Sequence, residues 1–277
     1  MKIIKNKQEF SEFILKIKDS GKKIGLIPTM GSIHKGHISL VKKSKKLNCF
    51  SIVTIFINPA QFNNKNDYFE YPRNYEQDIN SLKKIDTDLV FLPTSKDIYP
   101  KGVKIKKTIF DYRNILCDKF RPGHFDGVTT VVKLLFDLVD PNYAFFGEKD
   151  YQQLKIIQKL IEDNNLRILI KPCASIRMLN GLSFSSRYNN FSSHQEIIFK
   201  NVAKQIMISV FNLRKKIDIK ILKNLKIELK KLNIKKIDYL EIRDEKNLQP
   251  SLKNKKSRLF LAFYINEIRI IDNFILY

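Results

Sequence analysis

In the first two thirds of the chain, short apolar runs alternate with longer amphipathic segments. The apolar runs lie at 24–27, 52–57, 89–92, 143–146 and 168–170. Each is short, continuous and bounded by polar residues, which is typical of a strand buried on both faces of a parallel sheet. Segments with helical spacing fall between them, at 37–47, 75–85, 127–139 and 151–163. Because strands that alternate with helices predict a parallel sheet with crossover helices, we interpret residues 1–175 as a Rossmann-like, doubly wound α/β domain.

The pattern changes after about residue 175. Two lysine-rich helical segments at 194–215 and 218–232 precede strand-like runs at 237–243, 258–264 and 268–271. Four leucines recur at helical spacing and are interpreted as the core-facing stripe of the second helix: Leu222, Leu225, Leu229 and Leu232. Residues 176–277 are therefore predicted to form a smaller α+β domain, a C-terminal lid, that packs directly on the first because no long linker separates them.

Candidate chemistry begins in the run Pro28-Thr29-Met30-Gly31-Ser32-Ile33-His34-Lys35-Gly36-His37. It places two imidazoles three residues apart where a helix follows a strand. The free N–H groups and partial positive charge of a helix N-terminus favour phosphate. His34 and His37 can donate hydrogen bonds to phosphate oxygens, and Gly36 lets a flat base approach the backbone. On this motif alone, a surface pair or an incomplete metal site remain alternatives.

Further motifs follow this one in a fixed order. They are Phe56-Ile57-Asn58-Pro59-x-Gln61-Phe62, Tyr71-Pro72-Arg73, Phe120-Arg121-Pro122-x-His124-Phe125-x-Gly127-Val128, Phe145-Phe146-Gly147-Glu148-Lys149-Asp150-Tyr151-Gln152-Gln153 and Ser185-Ser186-Arg187. The set, in this order, resembles the pantothenate synthetase (pantoate–β-alanine ligase) family of the H-x-G-H nucleotidyltransferase superfamily. The resemblance runs from about residue 20 to Ile270-Ile271-Asp272-Asn273 and covers almost the whole chain.

The resemblance implies a reaction in two steps. The pantoate carboxylate attacks the α-phosphorus of ATP, which gives pantoyl adenylate and diphosphate. The β-alanine amine then attacks the acyl carbon and releases pantothenate and AMP, a step of vitamin B5 and coenzyme A biosynthesis. The resemblance also implies a homodimer, Mg²⁺ that arrives with ATP, and no tightly bound cofactor.

The resemblance assigns roles residue by residue. The implied catalytic residues are His37, His34, Lys149 and Arg187. The implied ATP-binding residues are Met30, Gly31, His34, Gly36, His37, Gly147, Glu148, Lys149, Asp150, Ile176, Phe184, Ser185, Ser186 and Arg187. Gln61, Gln153 and Asn58 are the implied contacts to pantoate or β-alanine, and neutral amides suit a carboxylate that must stay nucleophilic. Phe56, Met30 and Phe62 are candidates for an apolar wall around the gem-dimethyl group, with core packing as the alternative.

Several positions depart from the family pattern. Asn180 stands where an aspartate is usual, Phe184 replaces a methionine, and Tyr188 replaces an asparagine. In the acidic segment that the family uses for magnesium, Gln77 occupies the place of a frequent second acid. The resemblance aligns Asp78 with one of the family acids and so implies it as the magnesium contact, with Glu76 as the alternative.

Composition adds a second and a third hypothesis. The net charge is +23, which by itself suggests a nucleic-acid partner. Residues 1–175 contribute 30 − 19 = +11 and residues 176–277 contribute 21 − 9 = +12, so the charge is spread evenly and we attribute it to compositional bias. A nucleotidyltransferase that acts on a phosphorylated acceptor remains possible, but the two glutamines favour a carboxylate. NAD is not expected because the chain lacks G-x-G-x-x-G.

The cysteines and the apolar runs bear on location. Cys49, Cys117 and Cys173 are odd in number and widely spaced, and this pattern is typical of reduced thiols in a cytoplasmic protein. We expect neither a signal peptide nor a membrane span, because no apolar run reaches the roughly 18 residues that a bilayer requires.

Overall fold

The computed structural model describes residues 1–63, 65–105, 109–252 and 256–276. The chain divides into two compact units. The first unit comprises Met1–Arg113, Arg121–Glu148 and Gln153–Ala174. The second comprises Asn114–Phe120, Lys149–Gln152 and the chain from Ser175 onward. The predicted boundary at 175/176 lies next to the last of these divisions, whereas the two short segments come from the part that we assigned to the first domain.

The first unit contains a parallel sheet with the strand order β1-β4-β3-β2-β5-β6 in the described part of the chain. Its strands are β1 (Lys2–Ile4), β2 (Ile24–Thr29), β3 (Phe50–Ile55), β4 (Leu89–Phe91), β5 (Tyr143–Gly147) and β6 (Leu169–Cys173). The helices associated with it are α1 (Lys7–Asp19), α2 (Lys35–Lys46), α3 (Lys65–Phe69), α4 (Tyr75–Lys83), α5 (Ser95–Ile98), α7 (His124–Val139) and α8 (Tyr151–Asp163), of which α8 starts in the second unit.

The sheet is buried because its central strands are apolar on both faces. Ile27 and Val53 are fully buried and share one core cluster with Val41 of α2. Gly25 lets α2 lie close to the sheet, since a Cβ at this position would stand 2.3 Å from the Ser44 Oγ. The strand order reverses between β2 and β5. In open α/β sheets, ligands bind beyond the carboxyl ends of the strands at such a reversal.

The second unit combines a helical pair with an antiparallel sheet. Its elements are α6 (Leu116–Phe120), α9 (Ser193–Lys215), α10 (Ile219–Lys231), β7 (Ile237–Asp244), β8 (Ser257–Ile265) and β9 (Ile268–Ile275), with the sheet order β7-β8-β9. The leucine stripe of α10 faces this core as predicted: Leu225 and Leu229 are buried, and Leu222 and Leu232 pack beside them.

The fold class is confirmed as α/β with a smaller α+β region. The apolar pattern did not reveal β1 or the short helices α3, α5 and α6, because short elements carry too few apolar positions to show a period. The 13-residue helix α1 was also not predicted. Within the described ranges, none of the helices combines the length and the apolar character that a membrane-spanning helix needs.

Candidate active site

The loop between β2 and α2 is held by a carboxylate from α4. Asp78 accepts the backbone N–H of Ser32 at Oδ2 (2.8 Å) and that of Ile33 at Oδ1 (2.6 Å). Gly31 allows this approach, because it has a positive φ of 83° and its absent Cβ would lie 2.8 Å from Asp78 Oδ2. The buried Asp78 therefore fixes the backbone that leads into the two histidines.

The same carboxylate is the predicted magnesium contact. Burial raises the pKa of Asp78, and the hydrogen bonds from Ile33 and Ser32 oppose the rise. Among the described residues, no group of three His, Cys, Asp or Glu side chains could hold a metal ion.

The two imidazoles form a capping box at the start of α2. His34 is the N-cap, and its Nδ1 accepts the backbone N–H of Gly36 (3.1 Å). The Nδ1 of His37 lies 3.4 Å from the backbone nitrogen of His34, and the two rings stack with centroids 4.1 Å apart. Because each Nδ1 is an acceptor here, each neutral ring carries its proton on Nε2. The hydrogen bonds at the two Nδ1 atoms therefore make Nε2 the donor atom of each ring.

A second loop follows β3 and contains the predicted contacts Asn58 and Gln61. Asn58 is 1% exposed. Its Oδ1 accepts from the Ala60 N–H (3.1 Å) and the Tyr99 hydroxyl (2.7 Å), while its Nδ2 donates to Gln61 Oε1 and the Gly127 carbonyl (both 3.1 Å). Two acceptances and two donations use the full capacity of an amide. Asn58 therefore holds the Gln61 side chain in place. Burial raises the pKa of Tyr99 to about 12, so its hydroxyl stays protonated.

The backbone of Gln61 is held by a histidine that sequence reasoning left without a role. His124 Nδ1 lies 2.7 Å from the Gln61 carbonyl oxygen, and its Nε2 lies 3.1 Å from an Arg121 guanidinium nitrogen. An N–H must face the carbonyl and a lone pair must face the guanidinium, so the ring is the neutral Nδ1–H tautomer. The sequence offered a signal for this role, because His124 and Arg121 lie in the same motif as Gly127.

The candidates for the apolar wall have different surroundings. Phe56 is buried and lies 6.2 Å, centroid to centroid, from Tyr99. Phe62 packs edge-on against Tyr68. The sulfur of Met30 lies 3.0 Å from Gln61 Nε2. Met30 is thus in contact with a predicted substrate-binding amide.

Two adjacent glutamines have different environments. Gln152 is buried, accepts the Cys117 N–H (2.9 Å) and donates to the Ile115 carbonyl (3.0 Å), all within the second unit. Gln153, the predicted pantoate contact, is only half-buried and belongs to the first unit. Gln152 has a structural role that the motif alone does not reveal.

The segment after β5 carries the next group of predicted residues. Gly147 ends the strand in register with Cys173, and a Cβ on Gly147 would meet nothing within 4 Å. In the second unit, the Lys149 ammonium lies 3.5 Å from Asp150 Oδ1. The Lys149 carbonyl accepts a hydrogen bond from Asn273 Nδ2 (2.9 Å). Lys149 is thus fixed at its backbone, while its side chain stays about 20% exposed.

The Ser185-Ser186-Arg187 segment is a capped 3₁₀ turn. Ser185 Oγ accepts the Arg187 N–H (3.3 Å), and the Arg187 guanidinium donates to the Arg269 carbonyl of β9 (3.2 Å). Just before the turn, the Ile176 carbonyl accepts the Phe184 N–H (3.1 Å). This bond ties together the backbone of two residues that the resemblance places near adenosine.

Tyr188, one of the departures from the family pattern, is used in packing. Its ring lies 4.6 Å from that of Phe199 and 5.4 Å from that of Phe191, centroid to centroid. Burial raises the pKa of its hydroxyl, which has no hydrogen-bond partner among the described residues. Tyr188 therefore contributes apolar area to the core of the second unit.

The predicted residues divide between the two units. Those of the first unit that lie around the carboxyl ends of β2, β3 and β5 are Met30, Gly31, His34, Gly36, His37, Asn58, Gln61, Gly147 and Glu148. Those of the second unit are Lys149, Asp150, Ile176, Phe184, Ser185, Ser186 and Arg187. His34, His37 and Gly147 follow β2 and β5, the strands on either side of the topological reversal, where a nucleotide is expected.

A family model and full-length sequence relatives identify the same family. A family model described as pantoate-beta-alanine ligase matches residues 2–275. The chain is 42% identical to a pantothenate synthetase of Buchnera aphidicola (strain 5A), over 99% of this chain and 98% of the relative, and 38% identical to one of Sulfurihydrogenibium, over 99% of each.

Solved structures agree with the sequence relatives. A pantothenate synthetase from Thermus thermophilus superimposes with a TM-score of 0.91 at 30% identity and covers 100% of both chains. A pantoate-beta-alanine ligase from Francisella tularensis, solved with beta-gamma ATP and beta-alanine, gives 0.87 at 38% identity and covers 100% of this chain and 98% of that one.

Proposed function

The chain belongs to the pantoate-beta-alanine ligase family, and from this premise we propose how its residues form pantothenate from pantoate, β-alanine and ATP. The observation that carries the proposal is the pair of histidines whose Nδ1 atoms are tied to backbone N–H groups at the start of α2. The tie makes each ring a donor at Nε2, which suits phosphate oxygens at a helix N-terminus.

In the first step the pantoate carboxylate oxygen forms a bond to the α-phosphorus, and the bond from that phosphorus to the bridging oxygen of diphosphate breaks. His37 and His34 donate from Nε2 to the phosphate oxygens on which negative charge grows. Lys149, Arg187, Ser185 and Ser186 bind the triphosphate by family resemblance. Such groups act by positioning and by charge stabilisation, so no covalent bond to the protein is needed.

A divalent ion accompanies the triphosphate, and we propose Mg²⁺. It reduces the charge of the phosphate oxygens and needs few protein ligands. Asp78 keeps its predicted place as the protein's contact to this ion. Its two backbone hydrogen bonds support an additional role, which is to hold the loop that carries His34.

Pantoate is bound by neutral amides in this proposal. Gln61 and Gln153 contact its hydroxyl and carboxylate oxygens, and Gln61 also contacts β-alanine. An arginine would pair tightly with the carboxylate and lower its nucleophilicity, whereas an amide does not. Asn58, fully occupied by protein partners, supports Gln61.

Product analysis tests the proposed function. We expect AMP and diphosphate from ATP only when pantoate is present, and pantothenate once β-alanine is added. A stable dinucleotide-type product formed with a phosphorylated acceptor would instead favour a nucleotidyltransferase. Tight nucleic-acid binding that persists at about 0.15 M salt, without AMP formation, would favour the hypothesis of a nucleic-acid-binding protein.

Gln153→Ala is expected to raise the KM for pantoate by about 10-fold while the KM for ATP changes little, because a lost hydrogen bond to a charged group is worth ~1.5–3 kcal/mol. The matched control is Gln152→Ala, one residue away. It removes the acceptor of the Cys117 N–H and one of the donors to the Ile115 carbonyl, so it should lower the melting temperature and leave the KM for pantoate unchanged. A raised KM for pantoate in Gln152→Ala, with a lowered melting temperature in Gln153→Ala, would show that the two glutamines have the opposite roles.

Gly147→Ala tests close approach of the nucleotide. A Cβ at Gly147 has open space around it, so the melting temperature should stay the same. If the nucleotide lies against this backbone, the added methyl group raises the KM for ATP by about 10-fold. An unchanged KM for ATP would remove Gly147 from the nucleotide site.

We also propose a cytoplasmic homodimer, on the resemblance and on the state of the thiols. Cys49, Cys117 and Cys173 are buried free thiols. Burial raises the pKa of Cys173 to about 11 and raises that of Cys49, so both stay protonated near neutral pH. Unreactive thiols of this kind suit a reducing compartment.

A further inference from the structure

We propose that Asp272 and Asn273, adjacent residues of β9, are the positioning residues that set both phosphate-binding segments of the second unit. The inference rests on the proposed function, because it takes Lys149 and Ser185–Arg187 as groups that bind the triphosphate. Successive residues of a strand point to opposite faces. One strand can therefore hold two separate segments, one on each face.

Asp272 fixes the hairpin that leads into the serines. Its side chain is fully buried and accepts four hydrogen bonds. Oδ2 accepts from the Ser183 N–H (2.8 Å) and Arg177 (3.1 Å), and Oδ1 accepts from the Ser183 hydroxyl (2.8 Å) and the Asn273 N–H (2.8 Å). Ser183 is two residues before Ser185, so a displacement of Ser183 is passed directly to Ser185.

Asn273 fixes the other segment. It is 1% exposed and donates from Nδ2 to the Lys149 carbonyl (2.9 Å). Its Oδ1 accepts from the buried guanidinium of Arg258 (2.9 Å), which is paired in turn with Glu245 (2.8 Å). The orientation of the amide is thereby determined, since only Nδ2 can face a carbonyl.

The strand also reaches Arg187. The Arg187 guanidinium donates to the carbonyl of Arg269, which lies three residues before Asp272 on β9. Lys149 and Arg187 therefore connect to one strand through hydrogen bonds, and Ser185 connects to it through Ser183, all within the second unit. A shift of about 1 Å in such groups can cost on the order of 10²-fold in rate.

Asn273→Asp is the variant that tests the inference. It keeps the size and the acceptor toward Arg258, but it turns the donor that faces the Lys149 carbonyl into a second oxygen. We expect adenylate formation from ATP and pantoate to fall by about 10-fold or more, and aminolysis of separately supplied pantoyl adenylate by β-alanine to stay within about twofold. Ser183→Ala, which removes one donor to Asp272, should also lower the rate of adenylate formation relative to that of aminolysis, but by a smaller factor.

Asp238→Asn is the matched control. Asp238 is also a buried carboxylate of the same sheet and is paired with the side chain of an arginine, Arg269 (2.7 Å). This pairing involves neither Lys149 nor Ser183, and Arg187 contacts the backbone carbonyl of Arg269 and not its side chain. It should lower the melting temperature and leave the ratio of the two half-reaction rates unchanged.

Equal losses in both half-reactions for Asn273→Asp and Ser183→Ala, matched to the loss of folded protein, would overturn the inference. Failure of the proposed function gives a different result, because the unmodified chain would then form no AMP with pantoate.

Discussion

His37→Ala is expected to lower kcat by about 10²-fold or more with almost no change in melting temperature, because it removes a donor to charge that develops in the transition state. The His37 Nδ1 lies 3.4 Å from the His34 nitrogen, which is long for a hydrogen bond, and the His37 ring stacks on the His34 ring with centroids 4.1 Å apart. The measurement is the rate of pantoate-dependent AMP formation at saturating ATP, together with thermal unfolding.

His34 needs a different substitution, because it also caps α2. His34→Ala loses the acceptor for the Gly36 N–H and should cost about 1 kcal/mol of stability. His34→Asn keeps a capping oxygen and removes only the ring donor, so it isolates the effect on the reaction. If His34→Asn and His37→Ala both retained full kcat, the histidines would not act on the phosphates.

Gly127→Ala is expected to disturb the pantoate site and the fold together. A Cβ on Gly127 would lie 2.2 Å from the Ala60 carbonyl oxygen and 2.7 Å from the Gln61 nitrogen, and a backbone cannot yield as a flexible side chain does. We expect a loss of ~1–3 kcal/mol in unfolding free energy. The displaced Gln61 should raise the KM for pantoate by about 10-fold.

Lys133→Ala is the control on the same helix. Lys133 pairs with Asp137 on the outer side of α7, so its removal should change the unfolding free energy by less than about 0.5 kcal/mol and leave the KM for pantoate unaltered. A stable Gly127→Ala variant with normal kinetics would show that the Asn58–Gln61 loop can move without harm to binding.

Much of this architecture could be predicted from the sequence. The central strands are apolar on both faces, so β2, β3 and β5 stand out as continuous runs, and the long helices show a clear period. The stripe that contains Leu225 and Leu229 reached the core for the same reason. The six-stranded order could not be predicted, because an apolar run does not say which strand becomes its neighbour.

The supports of the site were harder to predict. His124 contacts the backbone carbonyl of Gln61, and Asn273 contacts that of Lys149. Every residue has a backbone carbonyl, so the sequence does not indicate which one a side chain will contact. The inclusion of 114–120 and 149–152 in the second unit depends on long-range packing that no local pattern records. Asn58 carried a polar signal, but that signal does not distinguish an amide that binds substrate from one that holds its neighbour.

The most direct test of acyl-adenylate chemistry follows an oxygen atom. With pantoate labelled with ¹⁸O in its carboxylate, the attacking oxygen stays on the α-phosphorus when β-alanine takes the acyl group. The account predicts that AMP carries one labelled oxygen and diphosphate carries none. Label in inorganic phosphate or diphosphate, or pantothenate formed with unlabelled AMP, would contradict it.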